Sequence, residues 1–185
     1  CNSSKLLQNE DLTSAADSAK IEMLIEQIQH KKDQHKMIVF SQFVSMLNLI
    51  KEALDKQGIC SLMLTGQSKD RGKLVNDFQS DKDTPVFLVS LKAGGTGLNL
   101  TAADVVYLVD PWWNPAVEQQ AIDRIYRMGQ QKTVTAVRLI SPNTVEDKIQ
   151  ILQQHKKEIS NSILDDGGSI DAFYLDKSYL MNLLR

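Results

Sequence analysis

The residues best suited to chemistry in this chain are two arginines on one helical row. In the stretch TAADVVYLVDPWWNPAVEQQAIDRIYRMGQ, Gln120, Arg124 and Arg127 are separated by steps of four and three, and Gln130 continues the row past Gly129. Residues three and four apart share a helix face, so a helix here presents two guanidiniums flanked by amides from one rigid element. A guanidinium is always charged and grips phosphate oxygens with a bidentate fork. The array therefore suits a polyanion such as a triphosphate. The same residues would also make an ordinary solvated helix face, and the surrounding chain decides between the two readings.

The elements that would position this row are short apolar runs alternating with helical stretches. Residues 37–40, 60–64, 86–89, 105–109 and 134–140 read as five strands. Residues 44–56 (stopped by Gly58), 69–79 and the arginine stretch read as helices between them. A further helix begins near Ala19 behind a Ser18 cap and carries Ile21, Leu24, Ile25 and Ile28 at helical spacing. Such alternation predicts crossover connections and an α/β domain with a parallel sheet flanked by helices on both faces. Ligands of such sheets bind at the loops beyond the carboxyl ends of the strands. Here those loops are Ser41-Gln42, Thr65-Gly66, residues 90–99 and residues 110–114, and they are expected to share one edge. The charged run HKKDQHK, residues 30–36, reads as a solvated helix end. After Pro142, Thr144 is placed to cap a long helix running to about residue 163, and the tail holds a short amphipathic helix with Leu180, Met181, Leu183 and Leu184.

The composition narrows the class. The chain has 185 residues, 42% hydrophobic and 24% charged, enough for one domain with a full core. It contains no apolar run of about 18 residues and no signal-peptide pattern, so no membrane association is expected. Cys1, Cys60, His30, His35 and His155 are scattered and offer neither a disulfide framework nor a metal site; a reducing intracellular compartment is expected. Proteins that grip DNA unaided usually carry a basic surplus. The net charge of -2 therefore predicts that any nucleic-acid contact is local and weak. Without an initial methionine, the chain reads as a piece of a larger protein.

Residues 90–99, SLKAGGTGLN, follow a buried strand with three glycines. Glycine permits backbone angles and close approaches that side chains forbid, and free amides in such a loop can contact phosphate; a plain structural turn would have the same composition. The phosphate-loop pattern GxxxxGK[ST] occurs nowhere in the chain, and the loop is not a dinucleotide fingerprint.

Taken together, the segments MIVFSQFVSMLNLI (37–50), LTG (64–66), VFLVSLKAGGTGLNLTAADVVYLVDPWWNP (86–115) and QQAIDRIYRMGQ (119–130) resemble the second RecA-like lobe of the Swi/Snf-type ATPases of helicase superfamily two, in order and spacing. The wording is most similar to bacterial members. The resemblance covers about residues 19–164, with 1–18 as a linker from the preceding lobe and 165–185 as a tail. Two positions depart from the family pattern. Tyr126 stands where His is usual, and residues 67–71 form a shorter segment than usual.

The resemblance implies an ATP site between two lobes. The first lobe, elsewhere in the same polypeptide, would supply the phosphate loop and the Mg-binding acids; this lobe would supply arginines. Arg127 would be the arginine finger and Arg124 its assistant, with Gly95, Gln130, Gln120 and Asp123 lining the cleft and Asp123 holding an arginine in place. Duplex DNA would be contacted through phosphates, without sequence readout, by Ser41, Gln42, Thr65, Gly66, Ser90, Lys92 and Thr96. Of Trp112 and Trp113, one is expected to pack and the other to meet DNA. The fragment alone would neither hydrolyse ATP nor translocate. The full protein would work on DNA, with nucleoprotein or transcription complexes as further partners, in a bacterial cytoplasm or a eukaryotic nucleus. Two other readings stay open from sequence: a non-catalytic interaction domain on the same fold, and an RNA-helicase lobe. DPWWNP and the helix after Pro142 point away from the latter. An intact arginine pair beside an intact glycine loop points away from the former.

Overall fold

The computed structural model describes residues 19–94, 100–112, 115–123, 125, 132–142, 144, 146–151 and 153–154. Five parallel strands form its centre: β1 Met37–Ser41, β2 Ser61–Leu64, β3 Val86–Ser90, β4 Val105–Leu108 and β5 Thr135–Arg138, in the spatial order β2-β3-β1-β4-β5. The order follows from composition. MIVFS and VFLVS are buried at every position and occupy the interior of the sheet, as continuous apolar runs must when both faces are covered. The more polar β2 and β5 take the edges, where β5 leaves Thr135, Ala136 and Arg138 exposed.

Helices α1 Ala19–Lys31 and α2 Val44–Lys56 cover one face. Leu24, Ile28, Met46, Leu47, Ile50 and Leu54 pack there against Met37, Val39, Val86, Leu88, Val105 and Tyr107. The other face is covered by α3 Arg71–Ser80 and α5 Pro115–Asp123, with the four-residue α4 Leu91–Gly94 beside α5. Val75, Phe78, Ile122 and Ile125 meet Ile38, Phe40, Phe87, Val89, Val106 and Leu108 there. Phe78 and Phe87 stack with centroids 5.0 Å apart. Each large apolar side chain removed from water in these layers contributes about 1.5–3 kcal/mol.

Helix α2 ends as the sequence predicts. Gly58 has φ 66°, and the amides of Ile59 and Gly58 return to the carbonyls of Leu54 and Asp55, both at 3.0 Å. This doubly bonded termination needs a left-handed residue, which glycine adopts without strain. The helix expected after Thr144 is present from residue 146 through the described residues; its farther extent, the tail and the Ser18 cap lie outside them.

The run HKKDQHK corrects one expectation. His30 and Lys31 end α1, and Lys32, Asp33 and Gln34 are exposed as expected; His35 and Lys36 instead form a bonded seam along the amino edge of the sheet. His35 Nδ1 lies 2.8 Å from Asp104 Oδ2, and the Lys36 amide donates to Asp104 Oδ1 at 3.1 Å. Lys36 Nζ bonds the Phe78 and Asp81 carbonyl oxygens and lies 4.6 Å from the centre of the Phe78 ring. Long cationic side chains reconcile both readings, because an apolar stem can pack while its head finds acceptors.

Candidate functional site

Strand register brings the predicted loops to one edge. Ser41 pairs with Ser90, Leu64 with Val89 and Phe40 with Leu108, so the chain leaves β1, β2, β3 and β4 at nearly one level. The first joint between these loops is Asp110, 2% exposed. Its carboxylate accepts the Ser41 hydroxyl and, at 3.1 Å, the Gln42 amide, tying the β1 exit to the β4 exit. The Ser41 hydroxyl oxygen also accepts the Phe43 amide at 3.1 Å.

This geometry revises the reading of two residues. Ser41 is fully buried and Ser90 3% exposed. The Ser41 hydroxyl is committed to Asp110, and the Ser90 oxygen accepts the Ala93 amide at 3.3 Å. Both shape the loops from beneath rather than offering hydroxyls at the surface. A strand-terminal serine looks solvent-facing in sequence, but these two still belong to fully covered central strands.

The remaining expected DNA contacts that fall within the described residues lie at the surface of the same edge. Gln42 and Thr65 are half-buried, and Gly66 and Lys92 are exposed. Thr65 opens a tight turn: its amide donates to Ser68 Oγ at 3.0 Å, its Oγ1 accepts the Gln67 amide at 3.3 Å, and Arg71 donates to the Gly66 carbonyl at 3.3 Å. A Cβ built on Gly66 meets no heavy atom within 4 Å, so the backbone there can be approached closely from outside. Exposed Phe43 and Val44 extend the edge at the start of α2.

The helix α5 places its polar row outward and an apolar row inward. Gln119, Gln120 and Asp123 are exposed, whereas Glu118, Ile122 and Ile125 are buried. The Gln119 amide donates to Asp123 Oδ1 at 2.8 Å, one helical turn along. Arg124, Arg127, Gly95, Thr96, Gln130 and Trp113, like the divergent Tyr126, lie outside the described residues. Trp112 is half-buried against the core that contains Ile122 and Ile125.

Sequence reasoning passed over Glu118. It is 1% exposed, and its oxygens accept the Trp112 amide at 2.8 Å and Arg138 Nε at 2.9 Å. One signal was available: positions 118, 122 and 125 share the apolar row, so a carboxylate there has to find partners inside the fold. It also passed over Lys20, whose buried Nζ meets both Glu146 oxygens, at 2.7 and 2.6 Å, and the Val109 carbonyl at 3.1 Å.

Among the described residues, the groups with displaced pKa values sit away from this edge. Burial lowers Lys36, opposed by nearby Asp81. The Thr84 hydroxyl and the Asp83 amide hold Asp81 below its usual range. Burial raises Tyr107.

The family model for the helicase conserved C-terminal domain matches residues 19–129. The chain belongs to that family. The helicase C-terminal lobe is 44% identical over 165 residues to the ATP-dependent helicase rhp16 of Schizosaccharomyces pombe, covering 86% of this chain and 19% of that protein. To the DNA repair protein RAD5B of Arabidopsis thaliana it is 40% identical over 171 residues, covering 90% of this chain and 13% of that protein. The lobe thus spans less than a fifth of the length of these relatives. Its fold is similar to a crystal structure of the C-terminal part of the Fun30 ATPase domain, with TM-score 0.71 and 35% identity over 80% of this chain and 48% of that one. It is a RecA-like lobe of the Swi/Snf type. The expectation of a bacterial type has no support, since a Mycoplasma pneumoniae helicase is 40% identical, no more than the yeast and plant proteins. Among the described residues, no helix is long and apolar enough to cross a membrane.

Proposed function

We propose that this lobe is the second motor lobe of an ATP-driven translocase of duplex DNA. The observation that carries the proposal is the shared edge. The β1 and β4 exit loops, the open Thr65-Gly66 turn and α4 gather there, and α5 lies against α4 with Gln120 and Asp123 outward. One side of the lobe thus combines loops suited to a nucleic-acid backbone with the helix that leads into the two arginines.

In this reading Arg127 is the arginine finger and Arg124 assists it, with Gly95, Gln120, Asp123 and Gln130 along the same cleft. The donor set fits half of an ATP site. It offers guanidiniums and amides to a triphosphate, while the phosphate-loop pattern is missing from the sequence and the Asp110 carboxylate is taken by Ser41 and Gln42. A preceding lobe would have to supply the phosphate loop and the Mg ligands. Bound ATP would supply a transferring phosphoryl group, and an arginine following α5 would stabilise the negative charge that spreads over it. Water exclusion follows when the lobes close.

Gln42, Thr65, Gly66, Lys92, Thr96 and one tryptophan of the pair would hold duplex DNA through its backbone, positioning it without reading bases. Ser41 and Ser90 would set the loops from below. Closure on ATP and reopening after hydrolysis then move these contacts along the strand as a hinge cycle. RAD5B is a DNA repair protein by name, which agrees with a DNA substrate here. The test is third-strand displacement from a triplex by the full-length protein. ATP-dependent release with the underlying duplex intact supports translocation. Release that requires strand separation, or none at all, would refute it.

A further inference from the structure

A carboxylate 1% exposed beneath a surface loop is costly unless its lone pairs are satisfied. Glu118 satisfies them from three separate parts of the fold. Oε1 accepts the Trp112 amide at 2.8 Å and lies 3.5 Å from the Gln153 amide nitrogen, while Oε2 accepts Arg138 Nε at 2.9 Å. Trp112 belongs to the β4 exit loop, Arg138 closes β5, and Gln153 comes from the helix entered at residue 146. Gln153 also donates to the Trp112 carbonyl oxygen. Both backbone polar groups of Trp112 are therefore held, the amide by Glu118 and the carbonyl by Gln153.

Glu118 itself stands in the first turn of α5, and Ile122 and Ile125 continue its buried row into the core. Rotation of α5 about its axis would withdraw the carboxylate from Trp112 and Arg138 together. The angular setting of the helix and the path of the Trp112 backbone are thus joined through one side chain.

We propose that Glu118 is a positioning residue that couples α5, the helix preceding the two arginines in sequence, to the Trp112 loop, so that movement at the nucleotide and movement at the DNA are one displacement. The inference rests on the function proposed above. Glu118 acts through α5 and Trp112 and touches neither ATP nor DNA. Among the described residues its oxygens serve as acceptors, taking an amide N–H, a guanidinium N–H and a carboxamide N–H. An amide in its place would turn an NH2 toward one of those donors and break the joint with little change of volume.

The experiment uses full-length protein and reads third-strand release per ATP hydrolysed, together with the KM for ATP. In Glu118→Gln, release per ATP is expected to fall about tenfold or more while KM stays within about threefold, since a misplacement of about 1 Å remote from the chemistry can cost about 100-fold. Glu118→Asp, which keeps both oxygens, recovers part of the ratio. Arg138→Met replaces a side chain that is 46% exposed and moves the ratio in the same direction. A wild-type ratio in Glu118→Gln, or a loss confined to thermal stability, overturns the coupling. Where Glu118→Gln does not fold, an unchanged ratio in Arg138→Met overturns it. Wild-type protein without DNA-stimulated turnover would overturn the proposed function and this inference with it, whereas a stimulated wild type beside an unaffected variant overturns the coupling alone.

Discussion

Removing the charge of Lys20 should be among the most damaging single changes in the lobe. Its side chain is 6% exposed and that of Glu146 8%. The ammonium meets both carboxylate oxygens, at 2.7 and 2.6 Å, and the Val109 carbonyl at 3.1 Å. In Lys20→Met the Glu146 carboxylate keeps its bond from the Ser141 amide, at 2.8 Å, but loses its cation in a place water hardly reaches. Breaking a buried pair from one side costs about 3–5 kcal/mol, a large fraction of the roughly 5–15 kcal/mol that holds a domain folded. At about 2–4 °C per kcal/mol for a domain of this size, the midpoint should fall by about 6–20 °C. The double variant Lys20→Met/Glu146→Leu should recover most of the loss, short of the hydrogen bonds to Val109 and Ser141 at about 1 kcal/mol each. Thermal and denaturant unfolding of the four proteins closes the cycle and gives the coupling energy. A Lys20→Met loss below about 1 kcal/mol, the range of exposed pairs, would refute the reasoning, as would a double variant no better than the sum of the singles.

Three further outcomes are expected. Burial raises the Tyr107 pKa above its ordinary value of 10.0, so above that pH the unfolded chain releases a proton that the native one keeps. Stability should therefore fall as pH rises through that range, and Tyr107→Phe should remove this component when midpoints are compared between about pH 9 and 11. Lys92→Ala, at an exposed position beside the glycine loop, should weaken duplex binding by the full-length protein without altering any sequence preference. It should also lower the salt slope by about one; an unchanged slope would remove Lys92 from the interface. The 185-residue chain alone, which lacks the phosphate-loop pattern, should not hydrolyse ATP, and turnover abolished by Arg127→Ala in that chain would contradict the two-lobe account.

The fold was legible where the physics is local. MIVF and VFLV are unbroken apolar runs, each closed by a serine, which marks them as interior strands of a parallel sheet. Gly58 marks the end of α2 because left-handed geometry favours glycine. The polar connections that leave the strand ends announced the edge that holds the candidate site. What stayed hidden was polar burial. Ser41 and Asp110 are 69 residues apart in sequence, Glu118 and Gln153 are 35 apart, and Lys20 and Glu146 are 126 apart. No local period reveals such partners, so each residue taken alone resembles a solvated one. His35 and Lys36, the end of the charged run before β1, misled for the same reason, since Asp104 and the end of α3 lie far along the chain.

The central claim is that this lobe completes an ATP site with an arginine carried beyond α5. The most direct measurement is ATP hydrolysis by the full-length protein across a duplex-DNA titration, in the wild type and in Arg127→Ala. The account predicts DNA-stimulated turnover that drops by about 10³ to 10⁵ in the variant with the fold intact. Stimulated turnover indifferent to Arg127, or no turnover at all in the wild type, would contradict it and leave a RecA-like lobe serving as an interaction domain.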